Sequence, residues 1–433
     1  MAERIRCLRS GLQIMNGHGS YKWLVVGILW CVCFLNYADR QLIFTVFPLL
    51  AREFKLSDAS LSVVSASFMC TYAVVGPVAG LICDRVPRRF LILGALIFWS
   101  LTAAATAFAR NYAQLVTGVA LGGFAEAFYF PAAMSMIADY HAADTRSRAM
   151  ALHQSSVYIG SIAGGAIAGY LGQYYGWRTG FRWFGIVGIL LGCGLWLLLK
   201  EPPRGLSDQM ASKLQAGSGL REGLRELAKN RIAWVLVAVF MGANFVAMIF
   251  TVWMPTFLYR RFDLSLTMSG LNGAAFLQIA SVLGVLCGGA LADGRVKRSR
   301  GGRGARMQVQ ALGLFCGIPF LFVSGWTTSV SFVLGAMIGF GFFKGIYDSN
   351  LWAALYDVTP IERRGAALGI MNSLGWLGGA IAQLGIGLAS ERFGMGVCLS
   401  ATALVYLLIA VAMSLGARNL ARQPAGIDVH LIG

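Results

Sequence analysis

The chain has 433 residues, of which 57% are hydrophobic and only 13% charged, with a mean hydropathy of +0.66. Soluble domains carry about 25% charged residues, so composition excludes an ordinary soluble protein and predicts a membrane protein, which the apolar runs below make all-α. The formal net charge of +17 raises nucleic-acid binding, but the basic residues fall in short loops between apolar runs, and no nucleic acid is expected as a partner.

In chain order, runs long enough to cross a bilayer as helices are predicted near 23–50, 60–83, 90–109, 113–138, 149–171 and 183–199. Six more follow near 232–258, 268–293, 307–325, 330–356, 366–389 and 395–416. The first, starting near Trp23, is too long for the core of a signal peptide and reads as a retained span. A polar interval carries Glu201-Pro202-Pro203-Arg204 and a Ser/Gly-rich charged stretch. The expected organisation is a six-helix bundle over 1–200, a cytoplasmic linker over 201–231, a second six-helix bundle over 232–418 and a cytoplasmic tail over 419–433.

With both termini inside, 26 of the 36 Lys and Arg residues fall on the cytoplasmic face and eight outside, Arg40 and Lys344 remaining within spans. That asymmetry predicts a multi-pass protein of the inner (plasma) membrane with cytoplasmic termini. The basic loops then face anionic headgroups, which makes the lipid bilayer a partner. The chain reads as a monomer. Its nine cysteines include no C-x-x-C and lie mostly in apolar runs, so no metal is expected. No nucleotide fingerprint, P-loop or nucleophile–base motif appears, and His141 and His153 show no obvious partner. Neither an enzyme, an ATP-driven pump nor a cofactor is expected.

The fourth run holds Gly122-Gly123-Phe124-Ala125-Glu126-Ala127-Phe128-Tyr129-Phe130-Pro131. An ionised carboxylate at the bilayer centre costs about 2.5 kcal/mol or more unless it is paired or faces water. Glu126 therefore marks a central ion or substrate site. A shift of 218 residues lays Gly123-Phe124 on Gly341-Phe342, Tyr129 on Tyr347, Asp139 on Asp357, Arg146 on Arg364, Ser155 on Ser373 and Gly160 on Gly378. Earlier in each half, Phe44-Thr45-Val46 echoes Phe250-Thr251-Val252, and Gly80 and Asp84 echo Gly289 and Asp293. Two six-helix repeats about an axis along the membrane normal predict a solute site at their interface, near mid-membrane.

Gly80-Leu81-Ile82-Cys83-Asp84-Arg85-Val86-Pro87-Arg88-Arg89 resembles the major facilitator superfamily signature G-x-x-x-D-R-x-G-R-R, with Pro87 where the family prefers Gly. The resemblance covers nearly the whole chain and implies the twelve-helix, two-bundle major facilitator fold. Asn36-Tyr37-Ala38-Asp39-Arg40 resembles the N-Y-x-D-R opening of the anion:cation symporters, which carry sugar acids and other organic anions, and also that of spinster-like lipid transporters. Gly123-Phe124-Ala125-Glu126-Ala127 is similar to the G-x-x-E-A segment of both groups. Gly176-Trp177-Arg178 and Lys200-Glu201-Pro202 resemble the symporters around their sixth helix. Where many symporters carry a further Arg upstream of the Glu, this chain reads Thr117-Gly118-Val119, so one anion contact is missing. The resemblance implies proton-carrying roles for Asp39 and Glu126 and a pocket role for Tyr72.

The residues themselves point the same way. Tyr37 and Arg40 share a helix face, and the Arg40 guanidinium offers a fork matched to a carboxylate; the alternative is a structural pair of Arg40 with Glu126 or Asp39. The repeat lays Glu126 on Lys344, which is either a second anion contact or the partner of Asp348 four residues on. Gln154/Tyr158 and Asn372/Trp376 each present a polar and an aromatic group to one side, suiting a polyol body, with inter-helix bonding and anchoring as the alternative. Asp84, Arg85, Asp139, Arg146, Asp357 and Arg364 fall at helix ends and read as conformational gates. The expected function is alternating-access transport of a small organic anion such as a sugar acid, coupled to H+. A spinster-like lipid or amphiphile exporter is the alternative, and a transport-dead sensor is a third reading.

Overall fold

The computed structural model describes residues 19–83, 85–202, 230–298, 304–359 and 364–422. The first half contains α1 (Gly19–Thr45), α2 (Phe47–Phe54), α3 (Asp58–Cys83), α4 (Arg88–Thr106), α5 (Tyr112–Glu126), α6 (Tyr129–Tyr140), α7 (Ala143–Tyr175) and α8 (Trp177–Leu198). The second contains α9 (Arg231–Phe262), α10 (Leu266–Arg298), α11 (Ala305–Trp326), α12 (Val330–Asp348), α13 (Leu351–Asp357), α14 (Arg364–Phe393) and α15 (Met395–Arg422). Among the described residues, eleven stretches are long and apolar enough to cross a membrane, with α5–α6 and α12–α13 each counted as one. The twelfth crossing is α7, whose first half carries Asp144, Arg146, Arg148, His153 and Gln154 and so dilutes its hydropathy. At 33 residues it is long enough to span.

The expected spans are all present, but several boundaries are corrected. The first is divided at Val46, where α2 restarts with proline in its opening turn. The fourth is broken at Ala127–Phe128. Pro131 causes this, because it cannot donate the N–H that would bond the Ala127 carbonyl in a continuous helix. The tenth is broken one turn later than the repeat would place it, at Ser349–Asn350, where the Asn350 amide donates to the Gly288 carbonyl at 3.2 Å. Several helices run past their apolar windows, since polar end turns continue the helix: α7 reaches Tyr175 before Gly176 (φ 82°) stops it, and α15 reaches Arg422.

The repeat is visible in the contacts. A Cβ on Gly123 would strike the Phe68 backbone, and one on Gly341 would strike the Leu277 backbone in the same way. Each bundle thus brings its broken helix against its second spanning helix at a glycine. Lys55 (φ 53°) and Asp263 (φ 52°) are the only non-glycine residues with positive φ among those described. Each caps the first helical unit of its half, and each is followed by Leu-Ser, at Leu56-Ser57 and Leu264-Ser265.

The halves meet where α3 packs on α14 and α7 on α10. Gly165 and Gly270 touch backbone to backbone, and Gly169 lies against Leu266 and Thr267. At the end where α2 finishes, Arg260 pairs with Asp58 at 2.7 Å, Ser390 donates to Asp58 at 3.2 Å, and the Ala59 N–H donates to Glu391 at 3.0 Å. Thr267 also donates to the Gln173 side chain at 2.8 Å. Deeper in, Ser65 donates to Gln383 at 3.4 Å and Gln41 to the Thr251 carbonyl at 3.4 Å. The Thr45 hydroxyl, beside Gly270, and the Gln383 amide nitrogen are buried without a partner. Every hydrogen bond or ion pair between the bundles among the described residues lies between the molecular centre and this end. We call it the closed end.

Candidate functional site

Toward the molecular centre from that seal, Arg40 is buried at 9% exposure and Glu126 at 2%. The Arg40 Nε donates to Glu126 Oε2. A lone charge this deep would cost several kcal/mol, and the pair answers the sequence question of what makes Glu126 tolerable. Glu126 is the last residue of α5, so the break imposed by Pro131 falls directly after it. Asp39, although adjacent to Arg40, makes no ion pair with it among the described residues. Its Oδ1 is buried without a partner.

Four aromatic rings box the guanidinium. Its Cζ lies 4.7 Å from the Tyr37 ring centroid, 5.0 Å from Tyr72, 5.2 Å from Phe68 and 5.3 Å from Trp376. Tyr72 and Trp376 are themselves 4.5 Å apart. Trp376 comes from α14 and the other three rings from α1 and α3, so the cation is shared across the interface between bundles. Desolvated cation–π contacts contribute about 2 kcal/mol or more. The Arg40 Nη1 is buried with no hydrogen-bond acceptor. Arg40 therefore spends one face on Glu126 and keeps a donor unfilled.

A second charged pair sits on α12, where Lys344 Nζ bonds Asp348 one turn later. Their side chains retain 20% and 30% exposure. Tyr158 of α7, in the other bundle, is within electrostatic reach of both. The local-pair alternative for Lys344 is thus the arrangement present here. Gln154 and Asn372 are half-buried and make no hydrogen bond among the described residues. Trp376 faces Arg40, while its repeat counterpart Tyr158 makes no such ring contact with Arg40 among the described residues.

The expectation that His141 and His153 lack partners is corrected. The Tyr129 hydroxyl donates to the Leu29 carbonyl at 2.7 Å and lies 3.0 Å from His153 Nε2. A carbonyl only accepts, so the tyrosine proton is committed to it and His153 must donate from Nε2. This buried link ties α1, α6 and α7 together, with Tyr129 three residues after Glu126 in the chain. His141 reaches the Lys22 carbonyl and the Thr145 hydroxyl, each at 3.2 Å. Neither position is visible as a partner in sequence, because Tyr129 and His153 are separated by a loop and parts of two helices.

Of the residues read as gates, Asp139 pairs with Arg88 and Asp357 with Arg306, each within its own bundle. Arg146 donates to the His141 carbonyl at 3.2 Å, and Arg85 is exposed. Asp84 and the Arg364 side chain lie outside the described residues. Among the described residues, the contacts that join the bundles include those of Asp58, Arg260, Ser390 and Glu391, which went unpredicted. Their only sequence signal is acid at the start of α3 facing base at the end of α9.

Residues 29–383 match the family model described as Major Facilitator Superfamily. The chain is 30% identical over 411 residues to "Protein spinster homolog 1" of Homo sapiens, covering 89% of this chain and 76% of the relative. It is 27% identical over 356 residues to "Probable L-galactonate transporter" of Escherichia coli (strain K12), covering 80% and 78%. The crystal structure of a bacterial homolog to human lysosomal transporter Spinster, in an inward-facing and unoccupied conformation, superimposes with a TM-score of 0.81 at 21% identity, covering 94% of this chain and all of that one.

Proposed function

The chain belongs to the Major Facilitator Superfamily, and from that premise we propose that this transporter carries a small organic anion, of the sugar-acid class, in exchange for the Glu126–Arg40 ion pair and coupled to a proton. The observation that carries the reading is the state of Arg40. Its Nε is taken by Glu126 while Nη1 remains an unfilled donor inside an aromatic box. A carboxylate entering that box competes with Glu126 for the same cation. Protonating a Glu126 carboxylate oxygen removes the competitor, so the anion and a proton enter together and leave the site near neutral. Asp39, with its unpartnered Oδ1, is the second candidate to hold that proton. The rings of Tyr37, Tyr72 and Trp376 suit the C–H faces of a polyhydroxy body, and Lys344 with Tyr158, Gln154 and Asn372 would reach its far end. The L-galactonate relative supports this substrate class.

Release follows from the same competition. Loss of the proton toward the cytoplasm restores the Glu126 charge, which recaptures Arg40 and expels the anion. In this reading the termini are cytoplasmic and the closed end faces outward, as the distribution of Lys and Arg supports. A spinster-like amphiphile carrier is the second reading, favoured by the same four rings, which give Arg40 an apolar surround able to accept an acyl chain, and by the spinster relative.

Proteoliposome flux decides between them. Hexonate uptake driven by an imposed proton gradient, abolished in Arg40→Ala and made independent of the gradient in Glu126→Gln, is the expected result. Gradient-driven uptake left intact in Glu126→Gln would overturn the coupling role. Lysophospholipid movement without hexonate uptake would replace the first reading with the second.

A further inference from the structure

The outer ends of α9, α11 and α15 enclose a cleft of about 640 Å³ that the central site does not use. Its mouth carries Arg260 and Arg261 from the last turn of α9, and its walls include Phe322 and Trp326 from α11 and Val397 from α15. Phe322 and Trp326 stack at 5.7 Å with an interplanar angle of 17°. Trp326 is 74% exposed and Val397 59%, so the apolar wall continues out of the cleft onto the surface. Thr256, which also lines it, is buried with an unpartnered hydroxyl. Among the described residues Arg261 pairs with no carboxylate.

This combination has a chemical meaning. Two guanidinium groups beside an aromatic wall, at the depth where α9 leaves the hydrocarbon, match an anion carried on an apolar chain. A free small anion would satisfy the guanidinium groups and leave the wall in water. A lipid without a phosphate would cover the wall and leave Arg261 without a partner, and in a zwitterionic one the headgroup's own cation offsets the phosphate charge that two guanidinium groups call for. We propose that the cleft binds an anionic phospholipid from the leaflet at the closed end, with its phosphate on Arg261 and Arg260 and an acyl chain along Phe322 and Trp326.

The position of Arg260 gives that site a consequence. The same side chain that lines the cleft makes the 2.7 Å ion pair with Asp58 across the bundle interface. A phosphate that engages Arg260 competes with Asp58, and linkage makes the competition reciprocal. Bound anionic lipid weakens the closed end, and separation of Asp58 from Arg260 strengthens lipid binding. The Ser390 and Glu391 contacts to α3 remain, so the lipid biases the opening equilibrium without forcing it. This proposal needs only that the chain spans a bilayer, and it stands or falls separately from the identity of the transported solute.

The test titrates the purified full-length protein in detergent with phosphatidylglycerol, phosphatidylcholine and glycerol 3-phosphate, reading thermal stability. Phosphatidylglycerol is expected to raise the melting temperature of the wild type by about 3 °C or more, with no comparable shift from the other two. Arg261→Ala and Trp326→Ala should each lose most of that shift, and Arg52→Ala, a basic change elsewhere at the same end, should keep it. Asp58→Asn should reach half-maximal shift at a lower phosphatidylglycerol concentration, by about threefold. Equal shifts from the two lipids, or an Arg261→Ala protein that responds like the wild type, would reduce the cleft to ordinary lipid contact. A full shift from glycerol 3-phosphate would make it a free-anion site. An unchanged midpoint in Asp58→Asn would remove the coupling to the closed end.

Discussion

Gly165 of α7 and Gly270 of α10 face each other so closely that a methyl group built on either would run into the carbonyl oxygen of the other. The obstacle on both sides is backbone, which cannot rotate away as a side chain would. The closed end therefore depends on the absence of two side chains as much as on the presence of Asp58 and Arg260.

Gly165→Val is expected to hold the bundles apart at this end and to lower substrate uptake about tenfold or more, because a state that cannot close is lost from the cycle. Gly27→Ala, where an added Cβ meets nothing within 4 Å, should leave uptake unchanged. Mass-spectrometric detection of maleimide at a cysteine introduced in place of the buried Ser65 reads the conformation directly: protected with wild-type glycines, labelled in the Gly165 variant. Equal protection in both would remove the steric role.

Trp376 supplies the one ring of the Arg40 box that comes from the second bundle. Trp376→Ala should weaken apparent substrate affinity about 5- to 30-fold, the effect of losing about 1–2 kcal/mol. Trp376→Phe should fall between that and the wild type. Arg40→Lys keeps the charge but loses the planar fork, and is expected to behave more like Arg40→Ala than like the wild type. Concentration dependence of flux in proteoliposomes orders the series, and an alanine variant indistinguishable from phenylalanine would argue against a ring contribution.

The two intra-bundle pairs at the other end differ in burial, which sets their ranking. Arg88 and Asp139 are each 11% exposed, whereas Asp357 is 48% exposed beside Arg306. Asp139→Asn leaves a nearly buried cation without its charge partner and should cost about 3 kcal/mol. Asp357→Asn should cost about 0–1 kcal/mol. Thermal unfolding of the two variants, with Arg88→Met added to Asp139→Asn as the paired removal, checks the order. The double variant is expected to recover part of the loss.

Glu53, beyond the end of the first span, gives a pH signature. Burial pushes its carboxyl up, but hydrogen bonds from Trp177 and Arg178 and the Arg178 charge outweigh that and hold it below the ordinary value. The Trp177 bond is 2.7 Å. A carboxyl depressed in the folded state stabilises fully above its unfolded value of about 4.3 and loses that contribution as pH falls through the lower folded value. Glu53→Gln should therefore melt lower than the wild type near neutral pH, with the two curves converging in acid. A gap that stays constant with pH would mean that the charge contributes nothing.

The twelve crossings and the need of Glu126 for a partner were legible in the sequence because each rests on a local cost, and the internal repeat because one offset recurs. An apolar run cannot stay in water, and a charge cannot stay unpaired in hydrocarbon. The break after Glu126 could also be anticipated from Pro131. What stayed hidden depends on how the halves meet. Tyr37, Tyr72 and Trp376 were each identified as pocket residues, yet nothing in their spacing says that they converge on one guanidinium together with Phe68. Asp58, Arg260 and Glu391 read as ordinary solvated helix ends until the bundles are placed against each other. The Tyr129–His153 link joins helices whose relative rotation no single window of sequence contains. The break at Ser349–Asn350, one turn from where the repeat places it, coincides with the Asn350 side chain reaching Gly288 on another helix, a contact that the offset alone does not show.

The Thr45 hydroxyl and the Gln383 amide, sealed without partners between the bundles, make this protein sensitive to solvent itself. Parting the bundles lets both groups bond to water, so the open form is the more hydrated one. Osmolytes kept out of the opening, such as sucrose, raise the cost of wetting newly exposed surface and would hold the closed end shut. Rising sucrose is therefore expected to slow the step that parts the bundles, read as a fall in flux at constant substrate.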